Sequence, residues 1–157
     1  MKFKPLALII NIAIPLSIGA LGGWATAQSV KTWYPTLNKP SFNPPNWLFA
    51  PVWTSLYILI GIAAYLVWIK RDKIVHLPRT IAIYFIQLIL NLGWSFIFFY
   101  QHEIGFALAE IIFLLVIIIV NAIMFYKIDK WAGLIFIPYI LWVGFATFLT
   151  YNIFILN

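Results

Sequence analysis

The 157-residue chain has no cysteine, only two histidines and only 9% charged residues. Without thiols it can build neither a disulfide framework nor a cysteine-type zinc site. A soluble domain averages about 45–50% apolar and about 25% charged residues. At 64% hydrophobic residues, this chain is neither a soluble domain nor a disordered one. Acid is scarcer than base, with four Asp and Glu against ten Lys and Arg, a formal net charge of +6. The GxSxG, HExxH and GxxxxGK(S/T) signatures are also missing, so classical hydrolytic, metal-dependent and phosphate-loop chemistry has no visible machinery. No metal site is expected.

Long apolar runs and aromatics take the place of charge: 8 Trp, 8 Tyr and 14 Phe. Pro5–Val30, Pro40–Ile69, Thr80–Gln101 and Trp131–Asn157 contain no Asp, Glu, Lys or Arg, and Ile104–Tyr126 contains only Glu110. About 20 apolar residues make a helix long enough to cross about 30 Å of hydrocarbon. The runs are too long for barrel strands and lack alternation, and an open sheet in lipid leaves backbone groups unpaired. The pattern predicts an all-α integral membrane protein, a single bundle of five transmembrane helices near 6–27, 46–69, 79–100, 105–126 and 132–155.

An odd number of spans puts the termini on opposite sides. Lys2, Lys4, Lys70, Arg71, Lys73, Arg79, Lys127 and Lys130 fall with the N-terminus and the second and fourth connections. Only Lys31 and Lys39 fall on the other side. The positive-inside rule then puts the N-terminus in the cytoplasm and the C-terminus outside, in the cell membrane. The net charge is thus a topology signal, and with no basic folded surface a nucleic-acid partner is not expected. Met1–Lys4 and Ala25-Thr26-Ala27 imitate a cleavable signal peptide. The apolar stretch is too long for that and is broken by Pro15, Gly19, Gly22 and Gly23, so a retained first helix is expected.

The connection Gln28–Pro45 is long and carries Pro35, Pro40, Pro44 and Pro45 with Trp33, Tyr34 and Phe42. Proline fixes φ, so a stiff loop is expected, able to act as a lid. Trp33 and Trp47 also suit the interfacial aromatic belt. Inside the spans, polar and bulky residues share helical faces: Gln87, Asn91 and Ser95 beside Trp94 and Phe98; Glu110, Leu114, Ile117 and Asn121; Tyr139, Trp142, Ala146 and Thr150; and Trp53, Thr54, Tyr57, Gly61 and Tyr65. Polar groups avoid lipid, so these stripes should face the bundle interior. Interhelical hydrogen bonds account for Gln87, Ser95 and Asn121 without a ligand. At 1.5 Å per residue, Trp53, Asn91, Trp94 and Glu110 lie roughly 9–14 Å below the outer helix ends. Aromatics, an amide and a carboxyl at one depth under a Pro-rich loop describe a pocket that opens outward. Glu110 is either a functional carboxyl or a structural hydrogen-bond partner. A reading as an ion-coupled transporter rests on it alone. Gly19-x-x-x-Gly23 gives the first helix a small face, suited to packing within the bundle or between copies.

Trp33-Tyr34-Pro35-Thr36-Leu37-Asn38-Lys39-Pro40-Ser41-Phe42-Asn43-Pro44-Pro45, followed by Pro51-Val52-Trp53, resembles the translocator protein family, also called tryptophan-rich sensory proteins or peripheral-type benzodiazepine receptors. Asn91-Leu92-Gly93-Trp94-Ser95, Pro138-Tyr139, Trp142 and Phe145-Ala146-Thr147 agree, so the resemblance spans the whole chain. It implies a five-helix membrane receptor that binds tetrapyrroles such as protoporphyrin IX and haem, commonly as a homodimer, with no required cofactor. Some bacterial members are credited with light-dependent oxidative breakdown of protoporphyrin that depends on two tryptophans, which map to Trp53 and Trp142. The ligand positions map to Tyr34, Trp53, Asn91, Trp94, Glu110, Trp142, Ala146 and Leu149, and Tyr57, from the stripe of the second helix, is expected to join them at the ligand. The alternative function is a non-catalytic sensor or carrier of porphyrins, lipids or sterols. Against sterol, Asn152–Asn157 lacks the basic residue that the weak sterol pattern requires. Where animal members have Asn, this chain has Thr150. For a porphyrin, Lys31 and Lys39 are the cations expected to meet its propionates.

Overall fold

The computed structural model describes residues 2–157; the Met1 start of the signal-like segment lies outside them. Five helices follow one another: α1 (Pro5–Ala27), α2 (Asn46–Trp68), α3 (Leu77–Ser95), α4 (Ile104–Ile128) and α5 (Lys130–Leu156). A π-helical turn, Phe96–Tyr100, extends α3. Each span is long and apolar enough to cross a bilayer, and among the described residues there is no strand. The chain is a multi-pass membrane protein. The predicted spans match within about two residues at the ends, which is the normal scatter of helix termini. Pro15, Pro51 and Pro138 all sit inside continuous helices.

The tightest unit is the α4–α5 hairpin. Its connection is a single extended residue, Asp129 (φ −146°, ψ 120°). Asp129 Oδ1 accepts from the amides of Trp131 (2.9 Å) and Ala132 (3.2 Å), capping α5. Its Oδ2 accepts from Lys70 Nζ at 2.6 Å, which pins the end of α2. Burial raises the pKa of this carboxyl, but the Lys70 contact and the capping amides outweigh it and hold the group below its ordinary range. Buried residues of α5 recur as Ala132, Phe136, Tyr139, Val143, Ala146, Thr150 and Ile153, and those of α4 as Ala107, Ile111, Leu114, Ile118, Asn121 and Phe125. Steps of four and three residues on both helices give the seam of a left-handed antiparallel pair. Gly133 permits the close approach, since a Cβ there would lie 2.6 Å from Tyr126 Cα.

This seam corrects the predicted α4 stripe. Leu114 and Asn121 are buried, but Ile118 takes the place expected for Ile117, and Glu110 sits on the flank. The α5 surface selects the 107/111/118 ridge, which turns the Glu110 edge toward α3. On the other side of the bundle α1 crosses α2 at Gly61, where a Cβ would be 2.5 Å from Ile12 Cα. Gly19 receives the edge of the Tyr57 ring, which a Cβ at that position would strike, and Gly22 faces Ser95 Oγ. The small face of α1 is therefore used within the bundle.

The two ends of the bundle differ. The basic end carries the N-terminus and the α2–α3 and α4–α5 connections. The loop end carries residues 28–45, the α3–α4 connection and the C-terminus.

Candidate functional site: an aromatic cavity at the loop end

The cavity at the loop end measures about 530 Å³. Four helices shape it. Gly19, Gly22, Gly23 and Thr26 of α1 form a thin wall, because residues without long side chains leave the volume empty. On α2, Phe49, Trp53 and Tyr57 stand at i, i+4 and i+8 and so share one face. Trp94, Ser95, Phe98 and Phe99 enter from α3 and its π turn, and Trp142, Ala146, Leu149, Thr150 and Ile153 from α5. The π turn adds a residue to the helical repeat, and both Phe98 and Phe99 are buried next to the cavity.

The indoles are held by aromatic contacts. Trp53 stacks on Tyr57 (5.6 Å, 27°), Trp94 on Phe98 (5.1 Å, 19°), and Trp142 meets Phe49 edge-on (6.1 Å, 67°). Such pairs contribute about 0.5–1.5 kcal/mol beyond their burial. Their polar ends are less well served. Trp94 Nε1 and Trp142 Nε1 are both buried without a hydrogen-bond partner. Thr150 donates to its own helix at Ala146 O (2.7 Å).

A hydrogen-bond chain runs behind the cavity. Tyr57 OH donates to Asn91 Oδ1 (2.7 Å), Asn91 Nδ2 donates to Tyr139 OH (2.8 Å), and Tyr139 OH donates to Gln87 Oε1 (2.8 Å). All four residues are buried. The chain ties α2, α3 and α5 at mid-bundle and fixes the Tyr57 ring that forms the cavity floor.

The roof is the Pro-rich loop. Tyr34, in a short 3₁₀ turn Tyr34–Thr36, is buried against Phe98 and Phe99, and its hydroxyl donates to Asn43 Oδ1 at 3.0 Å. Burial raises the Tyr34 pKa, opposed in part by Asn43, so the phenol stays neutral. Trp33 stacks on His102 of the α3–α4 connection (4.1 Å, 10°), and His102 has a positive φ of 59°. The loop is tied to the end of α5 by Asn38 N donating to Asn157 Oδ1 (3.0 Å) and Asn157 Nδ2 donating to Asn38 O (2.9 Å).

Of the residues expected at a ligand site, Tyr34, Trp53, Tyr57, Trp94, Trp142, Ala146 and Leu149 line this cavity. Asn91 and Glu110 do not. Asn91 lies behind Tyr57, spent on two tyrosine hydroxyls. Glu110 belongs to α4, none of whose residues reaches the cavity, and its carboxyl faces Gly93 with both oxygens unpartnered. Gln87 has the expected interhelical bond. Asn121, expected to have one, has both amide atoms buried without a partner, and Ser95 lines the cavity instead of bonding across helices. Lys39, expected to meet a ligand, folds back onto the carbonyls of Tyr34 (2.9 Å) and Leu37 (3.2 Å), while Lys31 is exposed. Phe49 and Phe99 line the cavity without belonging to any of the stripes predicted from sequence. The i, i+4, i+8 spacing of Phe49 with Trp53 and Tyr57 is the signal that could have found the first, and the π turn hides the second.

A model described as the TspO/MBR family matches residues 11–156. The chain belongs to the TspO/MBR family. It is similar to the tryptophan-rich protein TspO of Archaeoglobus fulgidus, 42% identical over 152 residues that cover 97% of each chain. It is also similar to the tryptophan-rich sensory protein of Cereibacter sphaeroides (36% identical, 89% of this chain and 88% of the relative). The translocator protein of Sus scrofa is 31% identical over 85% of this chain and 82% of its own length. Within a TspO/MBR chain, the aromatic cavity is thus built by four of the five helices and roofed by the loop that carries the most specific sequence block.

Proposed function

We propose that the loop-end cavity binds a tetrapyrrole, protoporphyrin IX or haem, and that with protoporphyrin IX the protein promotes light-dependent oxidative degradation. The observation that carries this reading is the set of three indoles, Trp53, Trp94 and Trp142, around one apolar cavity, two of them with an unpartnered N–H. A flat aromatic macrocycle is favoured by stacking surfaces on several sides. Its pyrrole nitrogens or ring substituents supply the acceptors that the two indoles lack. In the light reaction the porphyrin is its own photosensitiser, dioxygen is the oxidant, and Trp53 and Trp142 are the electron-rich groups within reach. Purified protein with protoporphyrin IX, illuminated while absorbance and product mass are followed, tests the reading. Loss of porphyrin with a defined product is expected for wild type and not for Trp53→Phe or Trp142→Phe. Unchanged bleaching in both variants removes the catalytic part.

The second reading is a non-catalytic sensor or carrier of porphyrins or lipids. It is favoured by the cavity wall toward the bilayer, where Gly23, Ala50 and Thr54 line the cavity and are themselves exposed, so that a membrane-dissolved ligand meets only small side chains. It expects quenching of Trp fluorescence on binding with no product under illumination. We further propose a cell-membrane location with the N-terminus cytoplasmic, supported by the basic residues gathered at one end, and a homodimer, as the resemblance implies. Single cysteines at positions 2 and 157 of this cysteine-free chain, labelled from one side of the membrane at a time, check the first. Light scattering of the purified protein checks the second.

A further inference from the structure

A second crevice, of about 360 Å³, lies at the basic end between α1, α2 and α3. Along α2 it is set apart from the aromatic cavity by Gly61, which packs on Ile12 of α1: Tyr57 lines the one and Ala64 the other. Its rim residues Leu6 and Ile10 of α1, Trp68 of α2, and Ile81 and Phe85 of α3 are exposed, so the crevice opens sideways toward the bilayer. Its inner wall is Ala64 and the Phe125 ring, which stacks with Tyr84 (5.8 Å, 22°). Of the three polar side chains in its inner walls, two are turned onto their own backbones, Asn11 Nδ2 donating to Ala7 O (2.8 Å) and Thr80 Oγ1 to His76 O (3.1 Å), and the third, Tyr84, has a buried hydroxyl without a partner. Apart from that hydroxyl the walls are apolar, which suits hydrocarbon.

The charge around the rim is mostly of one sign. Arg71 lies over the Trp68 ring at 4.3 Å and donates to Trp68 O at 3.0 Å, which fixes a guanidinium at the lip. Lys4 N donates to Tyr65 OH (2.9 Å), anchoring that residue beside the same end of α2. Arg79, in the first turn of α3, falls on the opposite side of the helix from the crevice residues Leu77, Ile81 and Tyr84 and adds only to the field. Lys2 and Lys73 add to the field, and of the acids at this end Asp129 is neutralised by Lys70, leaving exposed Asp72.

We propose that this crevice is a binding site for one acyl chain of an anionic phospholipid, with the phosphate held at the basic rim by Arg71. An apolar slot facing lipid accepts the chain, and the cationic lip selects the headgroup. Each basic residue near an anionic lipid surface favours it about fivefold.

Native mass spectrometry of the full-length protein from micelles holding equal phosphatidylglycerol and phosphatidylcholine tests this. Wild type is expected to retain one phosphatidylglycerol in preference to phosphatidylcholine. Arg71→Gln should lose most of the preference while still retaining lipid. Ala7→Trp, or Ile10→Trp where the first variant fails to give a cooperative melt, should fill the slot and release the lipid. Soluble glycerol phosphate separates the headgroup from the chain: it should not displace the bound lipid. Equal retention of the two lipids by wild type, retention undiminished in both folded tryptophan variants, or full displacement by glycerol phosphate would each overturn the proposal. The readout is independent of porphyrin binding at the loop end.

Discussion

The two ends of this bundle hold the same five helices apart in different ways. At the loop end, small residues on α1 face large ones on α2, α3 and α5, and the mismatch leaves about 530 Å³ ringed by indoles. At the basic end, Gly133 brings α5 against Tyr126 of α4, Asp129 and Lys70 lock the helix ends, and the space left is a smaller slot between α1, α2 and α3. The difference lies in where glycine is used. Gly61 and Gly133 are filled by a neighbouring backbone, whereas Gly23 faces nothing within 4 Å. The same residue type therefore closes one region and opens the other, according to what its helix meets.

The largest way to break this contrast is Gly61→Leu. Its Cβ alone would fall 2.5 Å from Ile12 Cα and 2.7 Å from Asn11 O, and backbone cannot step aside as a side chain can. Thermal unfolding should show a loss of about 3 kcal/mol or more, with both cavities altered. Next comes Asn91→Leu, which strands the hydroxyl of Tyr57 and removes the donor to Tyr139, whose own bond to Gln87 remains. A loss of about 1–3 kcal/mol is expected, smaller if Tyr57 finds a new partner in the membrane, and ligand affinity should fall because Tyr57 loses its tether.

Asp129→Ala acts only at the basic end. Removing the helix cap and the Lys70 partner should cost about 1–2 kcal/mol at neutral pH. Because the folded carboxyl titrates below its ordinary range, its contribution is present above that range and disappears as pH falls through the lowered value. Stability curves of wild type and variant should therefore converge in acid. The smallest effect on stability belongs to Gly23→Leu, within about 0.5 kcal/mol, since the space beside it is empty. Yet it projects into the cavity, so ligand binding measured by Trp quenching should weaken. A Gly23→Leu protein that binds as wild type would show that the loop-end cavity is not the ligand site.

Much of this was legible in the sequence because membrane insertion is a one-dimensional problem. Charges mark span ends, and about 20 apolar residues mark a span, so helix number and limits follow without knowing any contact. Seven of the residues expected at the site do line the cavity, since Trp53, Tyr57, Trp94 and Trp142 are large and lie at similar depths. Asn91 and Glu110 share that depth but not that direction. Depth is set by position along the chain, whereas direction is set by helix rotation, and rotation depends on which neighbour's ridge is met. The α4 stripe shows the same limit: Ile117 and Ile118 are equally apolar, and only the α5 surface chooses between them.

By itself, then, the sequence determined a five-helix membrane bundle with a stiff aromatic loop at one end and positive charge at the other, because transfer from water to lipid acts on each segment separately. Tertiary structure decided that Asn91 serves tyrosines, that Glu110 faces Gly93, that Lys39 closes its own loop, and that a second slot lies beneath the first. These outcomes depend on close packing and hydrogen-bond geometry between helices distant in sequence, which no single segment encodes.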